Sequence, residues 1–340
     1  MILPDGLTAR PLSADDAVPV AALLVAAEQV YDTGEFPDAE DVAEWWRGWG
    51  LDPGRDGLAV CDPAGLVLAY ATVMASPTFR DAFAVYLEGR VRPDVRGRGI
   101  GRALLAWQLD RGTALHAERH PEAPAALTVE VPGGMPSLEA LVRRAGLEAE
   151  RWYREMQRPL TDLPEARPVP GIDLVPFTRD RDDEVRRAHN AAFTRHHGSS
   201  ERDAEAWGAL FTGQRGFRPD LSRLALADGA VVGYVLSYVY EADTAARGTR
   251  EVVLGQIGVL PPARGRGVAS ALIAEVLEAA ARNDCESAGL GVDTQNVTGA
   301  LRLYERLGFR PVRSRVSWTL ALPPVALGPR TVGGQDAEHE

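Results

Sequence analysis

Two hydrophobic rhythms alternate along the chain, one of period two and one of three to four residues, and their order is repeated. LTARPL opens as a short strand, and helical spacing begins near residue 15 with Ser13 placed to cap it. DAEDVAEWWRGW, residues 38–49, predicts a second helix. DGLAVCD and GLVLAYATVMA read as two strands joined by a turn at residues 63–65, and FAVYLEGRVRP as a third. A glycine-rich segment at 97–101 leads into a helix carrying Leu104, Leu105, Trp107 and Leu109. ALTVEVP is a strand, SLEALVRRAG a short helix stopped by Gly146, and RWYREMQRPL a closing strand.

The proline-rich stretch TDLPEARPVPG reads as a linker over residues 159–170, after which the order starts again. GIDLVPF is a strand, and DDEVRRAHNAAFTRHH and DAEAWGALFTG are helices. SRLALADGAVVGYVLSYV makes a hairpin about Asp228-Gly229, and EVVLGQIGVLP is a strand before a second glycine segment. ASALIAEVLEAAARN and TGALRLYERLGF are helices, and RSRVSWTLAL is the last strand. Residues 323–340 lack any rhythm, and disorder is expected there. The pattern predicts an α/β chain of two tandem domains, residues 1–158 and 171–322, each a mixed sheet with a large antiparallel part.

Composition narrows the partners. A net charge of −11 excludes a general nucleic-acid binder, which needs positive charge along the backbone path. No apolar run reaches the length of a membrane span, and no signal peptide is evident at the start, so a cytoplasmic protein with no membrane partner is expected. Cys61 and Cys285 are too few for a cysteine zinc site or a disulfide framework. His189, His196 and His197 form no complete ligand set, and no metal is expected.

The repeat is sharpest at the glycine segments. VRPDVRGRGIGRALLAW (91–107) and VLPPARGRGVASALIAE (259–275) align without gaps at an offset of 168 positions. Glycines behind a strand let the backbone turn tightly, and they expose main-chain N–H groups next to a helix N-terminus, which suits a diphosphate. Arg96, Arg98, Arg264 and Arg266 are placed to neutralise further oxygens. A Gly-Lys-Ser/Thr ending is missing, and the third glycine of a dinucleotide fingerprint is replaced by Arg102 or Leu104.

Arg96-x-x-Gly99-x-Gly101 and Arg264-x-x-Gly267-x-Ala269 resemble the coenzyme A motif of the GNAT N-acetyltransferase superfamily. The tandem order is similar to that of the mycothiol synthase type, and HNAAFTRHH is loosely similar to its second domain. The resemblance implies bound acetyl-CoA. Its pyrophosphate would meet the main chain of Arg264, Gly265, Arg266, Gly267, Val268, Ala269 and Ser270, and its pantetheine arm would lie along Ile257, Gly258 and Val259. The first-half counterparts are Val91, Arg96, Gly97, Arg98, Gly99, Ile100 and Gly101.

The resemblance also extends to an asparagine ahead of a tyrosine-bearing helix that ends in Gly-Phe, here Asn296, Tyr304, Gly308 and Phe309. It implies that Tyr304 is the general acid for the leaving thiolate; helical spacing alone equally fits Tyr304 as a packing residue beside Ala300, Leu303 and Leu307. In the first half Val142 and Gly134 stand at the places of Tyr304 and Asn296, so that half is expected to be catalytically silent. Glu251 is the candidate base; Gln256 can only orient a group, and Glu88 is its first-half counterpart. Trp45, Trp46 and Trp49 suit either a cavity wall or a core, and one of the histidines suits an acceptor site.

The function expected is transfer of an acetyl group from acetyl-CoA to a primary amine of a small molecule, such as an amino sugar, a polyamine or a peptide-like compound, by a monomer or homodimer. The alternative is a non-catalytic acyl-CoA-binding scaffold.

Overall fold

The computed structural model describes residues 1–194, 199–295 and 299–325. The first half runs β1 (Thr8–Pro11), α1 (Ala17–Glu28), α2 (Ala39–Gly48), α3 (Pro53–Asp56), β2 (Gly57–Cys61), β3 (Val67–Ala75), β4 (Phe83–Val91), α4 (Ile100–Arg119), β5 (Ala125–Pro132), α5 (Pro136–Arg144) and β6 (Glu148–Pro159). The second runs β7 (Asp173–Pro176), α6 (Asp182–Ala192), α7 (Ala204–Trp207), β8 (Arg223–Ala227), β9 (Ala230–Tyr238), α8 (Glu241–Arg247), β10 (Glu251–Val259), α9 (Val268–Arg282), β11 (Ser287–Asp293), α10 (Ala300–Arg306) and β12 (Arg310–Leu322).

Local chemistry explains many of the boundaries. Asp38 caps α2 by accepting from the Asp41 N–H, and the Asp38 N–H in turn donates to the Asp41 carboxylate. Asp228 and Gly229 both take positive φ, 49° and 80°, which suits the two-residue turn between β8 and β9. Helix α6 stops at Ala192, short of the helix expected through residue 197, and α8 was not foreseen.

All described strands join one sheet in the order β1-β2-β3-β4-β5-β12-β6-β11-β10-β9-β8-β7. The two terminal strands are exchanged. β6, which ends the first half of the chain, pairs antiparallel with β11, from Tyr153 opposite Asp293 to Pro159 opposite Ser287. β12, which ends the second, pairs antiparallel with β5, from Pro132 opposite Arg315 to Ala125 opposite Leu322. β6 and β12 also pair with each other and weld the halves at the centre.

Arg158 fastens this crossing. Its buried guanidinium donates to the carbonyls of Leu307, just after α10, and of Thr161 and Asp162 in the linker. Helices cover both faces of the sheet. In the second half α9 packs on one face with Val252, Leu254 and Ala288, and α6 on the other with Tyr234 and Leu236. In the first half α1 and α2 cover Cys61 and Tyr70, while Ile100 and Leu104 of α4 pack on Val60 and Ala71. Cys61 and Cys285 are both buried and unpaired. No helix among the described residues is long and apolar enough to cross a membrane.

Candidate active site

Each half opens its sheet at the same place. β10 and β11 run parallel and pair only from Glu251 opposite Ser287 to Val253 opposite Gly289. Beyond that, β11 stays with β6 and β10 stays with β9, so the edge of β10 through Ile257, Gly258 and Val259 faces an opening. β4 and β5 pair only from Phe83 opposite Ala125 to Tyr86 opposite Thr128, which leaves Leu87 to Val91 on an equivalent edge. An extended ligand can use such an unpaired edge as a strand partner.

The glycine segments follow the open edges of β4 and β10, and their backbone angles match. Gly97 and Gly99 have φ of 78° and 92°; Gly265 and Gly267 have 73° and 88°. Gly99 and Gly267 are the N-caps of α4 and α9, and neither cap carries a side-chain bond. The first-turn amides of both helices therefore lack a side-chain cap, the arrangement an anionic group requires. Residues and opening together fit a coenzyme with a diphosphate and a long peptide-like arm.

Three of the four arginines are bonded to the protein's own main chain. Arg264 Nε donates to the Val259 carbonyl at 2.9 Å, and its Nη2 to the Ala192 carbonyl at 2.9 Å. Arg96 Nε donates to the Val91 carbonyl at 2.9 Å, with its guanidinium 4.4 Å from the centre of the Tyr31 ring. Arg266 donates to the Pro170 carbonyl at 2.6 Å. These three side chains hold the turns against the protein, and Arg98 alone of the four is exposed without a described partner.

Tyr304 lies on α10, 8% exposed, with its ring edge-on to Phe309 at 6.2 Å between centroids. Burial pushes its phenol up to about 12, so it is a donor at every physiological pH, and no described side chain bonds the hydroxyl. Gly308 turns the chain at φ 89°, and the Phe309 N–H returns to the Tyr304 carbonyl at 3.0 Å. The first half repeats this cap at Gly146, with φ 87° and a 3.1 Å bond from the Leu147 N–H to the Val142 carbonyl. Val142 thus occupies the structural place of Tyr304, fully buried and without a polar atom to offer.

Glu251 stands in the closed, paired part of β10. Its carboxylate accepts from the Gln157 amide, and from the Ser287 hydroxyl at 3.1 Å. His189 is buried, with Nδ1 2.7 Å from the Tyr234 hydroxyl and its ring stacked 4.6 Å from Phe193. Gly258 leaves the space the Tyr234 ring fills, since a Cβ there would come within 2.6 Å of that hydroxyl. Asn296, His196 and His197 lie outside the described residues. Trp46 is a core residue, whereas Trp45 and Trp49 line a cavity of about 1490 Å³ in the first half. That cavity runs from the turn at Arg96–Gly101 past Glu88. Glu88 and Arg158 are the two groups whose positions gave no clear sequence signal. Glu88 was visible only as the first-half counterpart of Gln256.

Comparison with known proteins agrees with this geometry. The model of the Acetyltransferase (GNAT) family matches residues 183–309. The mycothiol acetyltransferase of Frankia casuarinae is 32% identical, over 88% of this chain and 93% of that one. That of Streptomyces coelicolor is 30% identical over 85% and 87%. Among solved structures, a GCN5-related N-acetyltransferase from Sphaerobacter thermophilus has a TM-score of 0.75 at 28% identity, covering 95% of this chain and 98% of that one. A tandem GNAT protein from the clavulanic acid biosynthesis pathway shares the fold, with a TM-score of 0.66 at 22% identity over 93% and 98%. The chain belongs to the GNAT acetyltransferases, in their tandem-domain form. It is an acetyl-CoA-dependent N-acetyltransferase that acts on an amine.

Proposed function

We propose that the second half carries acetyl transfer to a primary amine of a small molecule, with Tyr304 as the donor to the departing sulfur. As repeats along the chain the two tandem units are residues 1–158 and 171–322, with 159–170 between them, and as folded units they exchange their last strands, β6 and β12. The acceptor is an amine of the mycothiol type, in keeping with the names of the relatives. The observation that carries this reading is Tyr304, its ring buried and its hydroxyl unbonded by any described side chain, in the half whose sheet opens beside an uncapped helix N-terminus.

Acetyl-CoA, when bound, supplies the acyl carbon and a thiol leaving group. The main chain of residues 264–270 is suited to its diphosphate and the edge at Ile257–Val259 to its arm, with Asn296 completing the site; Val91 and the turn at 96–101 are the first-half counterparts. Tyr304 stabilises the negative charge that grows on sulfur as the carbon–sulfur bond breaks. With the phenol near 12 and an ordinary thiol near ~8.5, full proton transfer is uphill by roughly 3 to 4 pKa units, so hydrogen-bond donation is the larger part of its work. Glu251, three residues before the edge that starts at Leu254 and ~10 Å along the strand, accepts the amine proton through water. Replacing Tyr304 with Phe and following acetyl transfer in a single turnover tests the reading.

A further inference from the structure

The first half keeps a carboxyl where the second has an amide. Glu88 lies opposite Thr72 of β3, and Gln256 opposite Leu236 of β9, each three residues before the valine that ends its strand. The neighbouring tyrosines correspond as well, Tyr70 opposite Arg90 and Tyr234 opposite Gly258. Tyr234 is bonded to His189, but Tyr70 donates to Glu88 Oε1 at 3.0 Å. Glu88 Oε2 is buried and has no partner. The backbone at this point is pinned from α4, where Gln108 Nε2 donates to the Glu88 carbonyl at 2.6 Å and the Thr72 carbonyl at 3.0 Å.

Glu88 is among the residues that line the cavity of about 1490 Å³, which also takes in the coenzyme edge and the glycine turn. At 1490 Å³ it exceeds the roughly 300–1,000 Å³ of an ordinary small-molecule pocket, leaving room for a second ligand beside an extended one. Trp49 stands edge-on to Tyr86 at 5.0 Å in its wall. The other carboxylates of the wall are matched by guanidinium groups. Arg313 lies 3.0 Å from Glu155 and 2.9 Å from Asp32, Arg315 3.3 Å from Glu130, and Arg90 3.6 Å from Glu35. Among the described residues no such ion pair reaches Glu88. The groups that face it are Arg90 on its own strand, Glu35 from the loop between α1 and α2, and Tyr70 from β3. Burial raises the Glu88 carboxyl to about 7, Glu35 adds to the rise, and Arg90 and the Tyr70 hydroxyl oppose it. A carboxyl left unpaired in a cavity and poised near neutrality is suited to moving a proton.

We propose that the first half is a second acyl-transfer centre, in which Glu88 takes a proton from a primary amine seated in this cavity next to an acyl-CoA held by the turn at 96–101. This departs from the silence that Val142 leads one to expect, and it stands whether or not Tyr304 acts in the second half. The ammonium gives one proton to Glu88, which passes it to solvent. The freed nitrogen lone pair forms the carbon–nitrogen bond. The carbon–sulfur bond breaks with its electron pair going to sulfur, and the remaining excess proton on nitrogen ends on that sulfur. The products are an amide, free CoA thiol and one proton released. An ordinary thiol near ~8.5 is a good enough leaving group that a missing tyrosine slows this step without forbidding it.

The test uses the full chain with the second site disabled by Gly267→Val and Tyr304→Phe together. Acetyl-CoA is offered with glucosamine, spermidine and glycylglycine, and CoA thiol release and acetylated product mass are followed from pH 5.5 to 9. The disabled chain should still acetylate at least one of the three, with kcat/KM rising through pH 7. Adding Glu88→Gln should lower kcat by about 10²- to 10⁴-fold and flatten the pH profile. Glu88→Asp should restore part of the rate, and Gly99→Val should remove acetyl-CoA binding at this site. A folded, CoA-binding disabled chain that acetylates none of the three, or a Glu88→Gln chain with the unchanged rate and profile, overturns the proposal. Loss of the second-half reading would show separately, as a wild-type rate untouched by the Gly267 and Tyr304 changes.

Discussion

Arg264 and Val259 are joined by a 2.9 Å bond from Nε to the carbonyl that ends β10, and Arg96 and Val91 make the same bond at the same length in the other half. The arginine that opens each glycine turn is thus a clasp between turn and strand end. Its value is to fix the path of the glycines between the strand end and the helix. Arg264→Ala should lower the melting temperature even without coenzyme, by a few degrees at most, because an exposed bond of this kind contributes about 1 kcal/mol. Differential scanning fluorimetry without and with CoA separates the roles. An unchanged melting temperature in the free protein would mean that the guanidinium serves the ligand alone.

Gly267 is restricted by conformation. Its φ is 88°, and a Cβ there would meet nothing within 4 Å, so Gly267→Ala strains the backbone without a clash in the free protein. The cost to stability should be about 1 kcal/mol. Coenzyme affinity at the second half should fall by ~10-fold or more, because in the proposed site the new methyl group would stand where main chain and diphosphate meet. Calorimetric titration with the first site blocked by Gly99→Val reads this directly. Equal affinity in glycine and alanine forms would place the diphosphate elsewhere.

Glu88 gives a dependence of stability on pH with a definite sign. In the folded chain its carboxyl titrates near 7, above its ordinary value of 4.5. The wild type therefore loses stability as pH rises from about 4.5 through 7, the interval in which the unfolded chain ionises and the folded one resists. Glu88→Gln carries no such term. At pH 5 the two proteins should unfold at similar denaturant concentrations, and at pH 8 the variant should be the more stable by roughly 2 kcal/mol. A difference that stays constant across this range would mean that Glu88 is not raised.

Arg158 ties a first-half strand to the end of the helix that carries Tyr304. Arg158→Met keeps the length and the apolar stem but strands the carbonyls of Leu307, Thr161 and Asp162. Breaking a buried, multiply bonded guanidinium in this way should cost about 3 kcal/mol in chemical denaturation. Acetyl transfer should fall by more than coenzyme affinity does, since α10 moves while the glycine turn stays. Conversely, a loss of affinity with the rate intact would show that Arg158 supports the turn and not the helix.

The order of strands and helices was legible because period two and period 3.6 leave different marks, and because Gly146, Asp228-Gly229 and Gly308 punctuate them. The exchange of β6 and β12 was not. Both strands show the alternation of a half-covered strand, and alternation fixes which face is apolar but not which neighbouring edge is paired. Helix α8, EADTAAR, is seven polar-rich residues and has too little periodicity to register. The arginines of the glycine turns were visible, but the main-chain bonds that Arg96, Arg264 and Arg266 make depend on the backbone path and were not. Glu88 looked like one more glutamate on a strand, because its burial comes from Tyr70, the α1–α2 loop and α4, none adjacent in sequence.

Tyr304→Phe tests the central claim most directly, because it removes one hydroxyl and leaves the ring against Phe309. With the first half disabled by Glu88→Gln in both chains, single-turnover acetyl transfer should slow by about 10- to 10⁴-fold, the range of a positioned proton donor. Coenzyme affinity and melting temperature should barely change, and kcat and kcat/KM should fall together. Measuring a single turnover keeps slow product release from hiding the effect. A Phe variant that transfers acetyl at the wild-type single-turnover rate from pH 6 to 9, with the first half disabled by Glu88→Gln, would contradict the assignment of the chemistry to Tyr304.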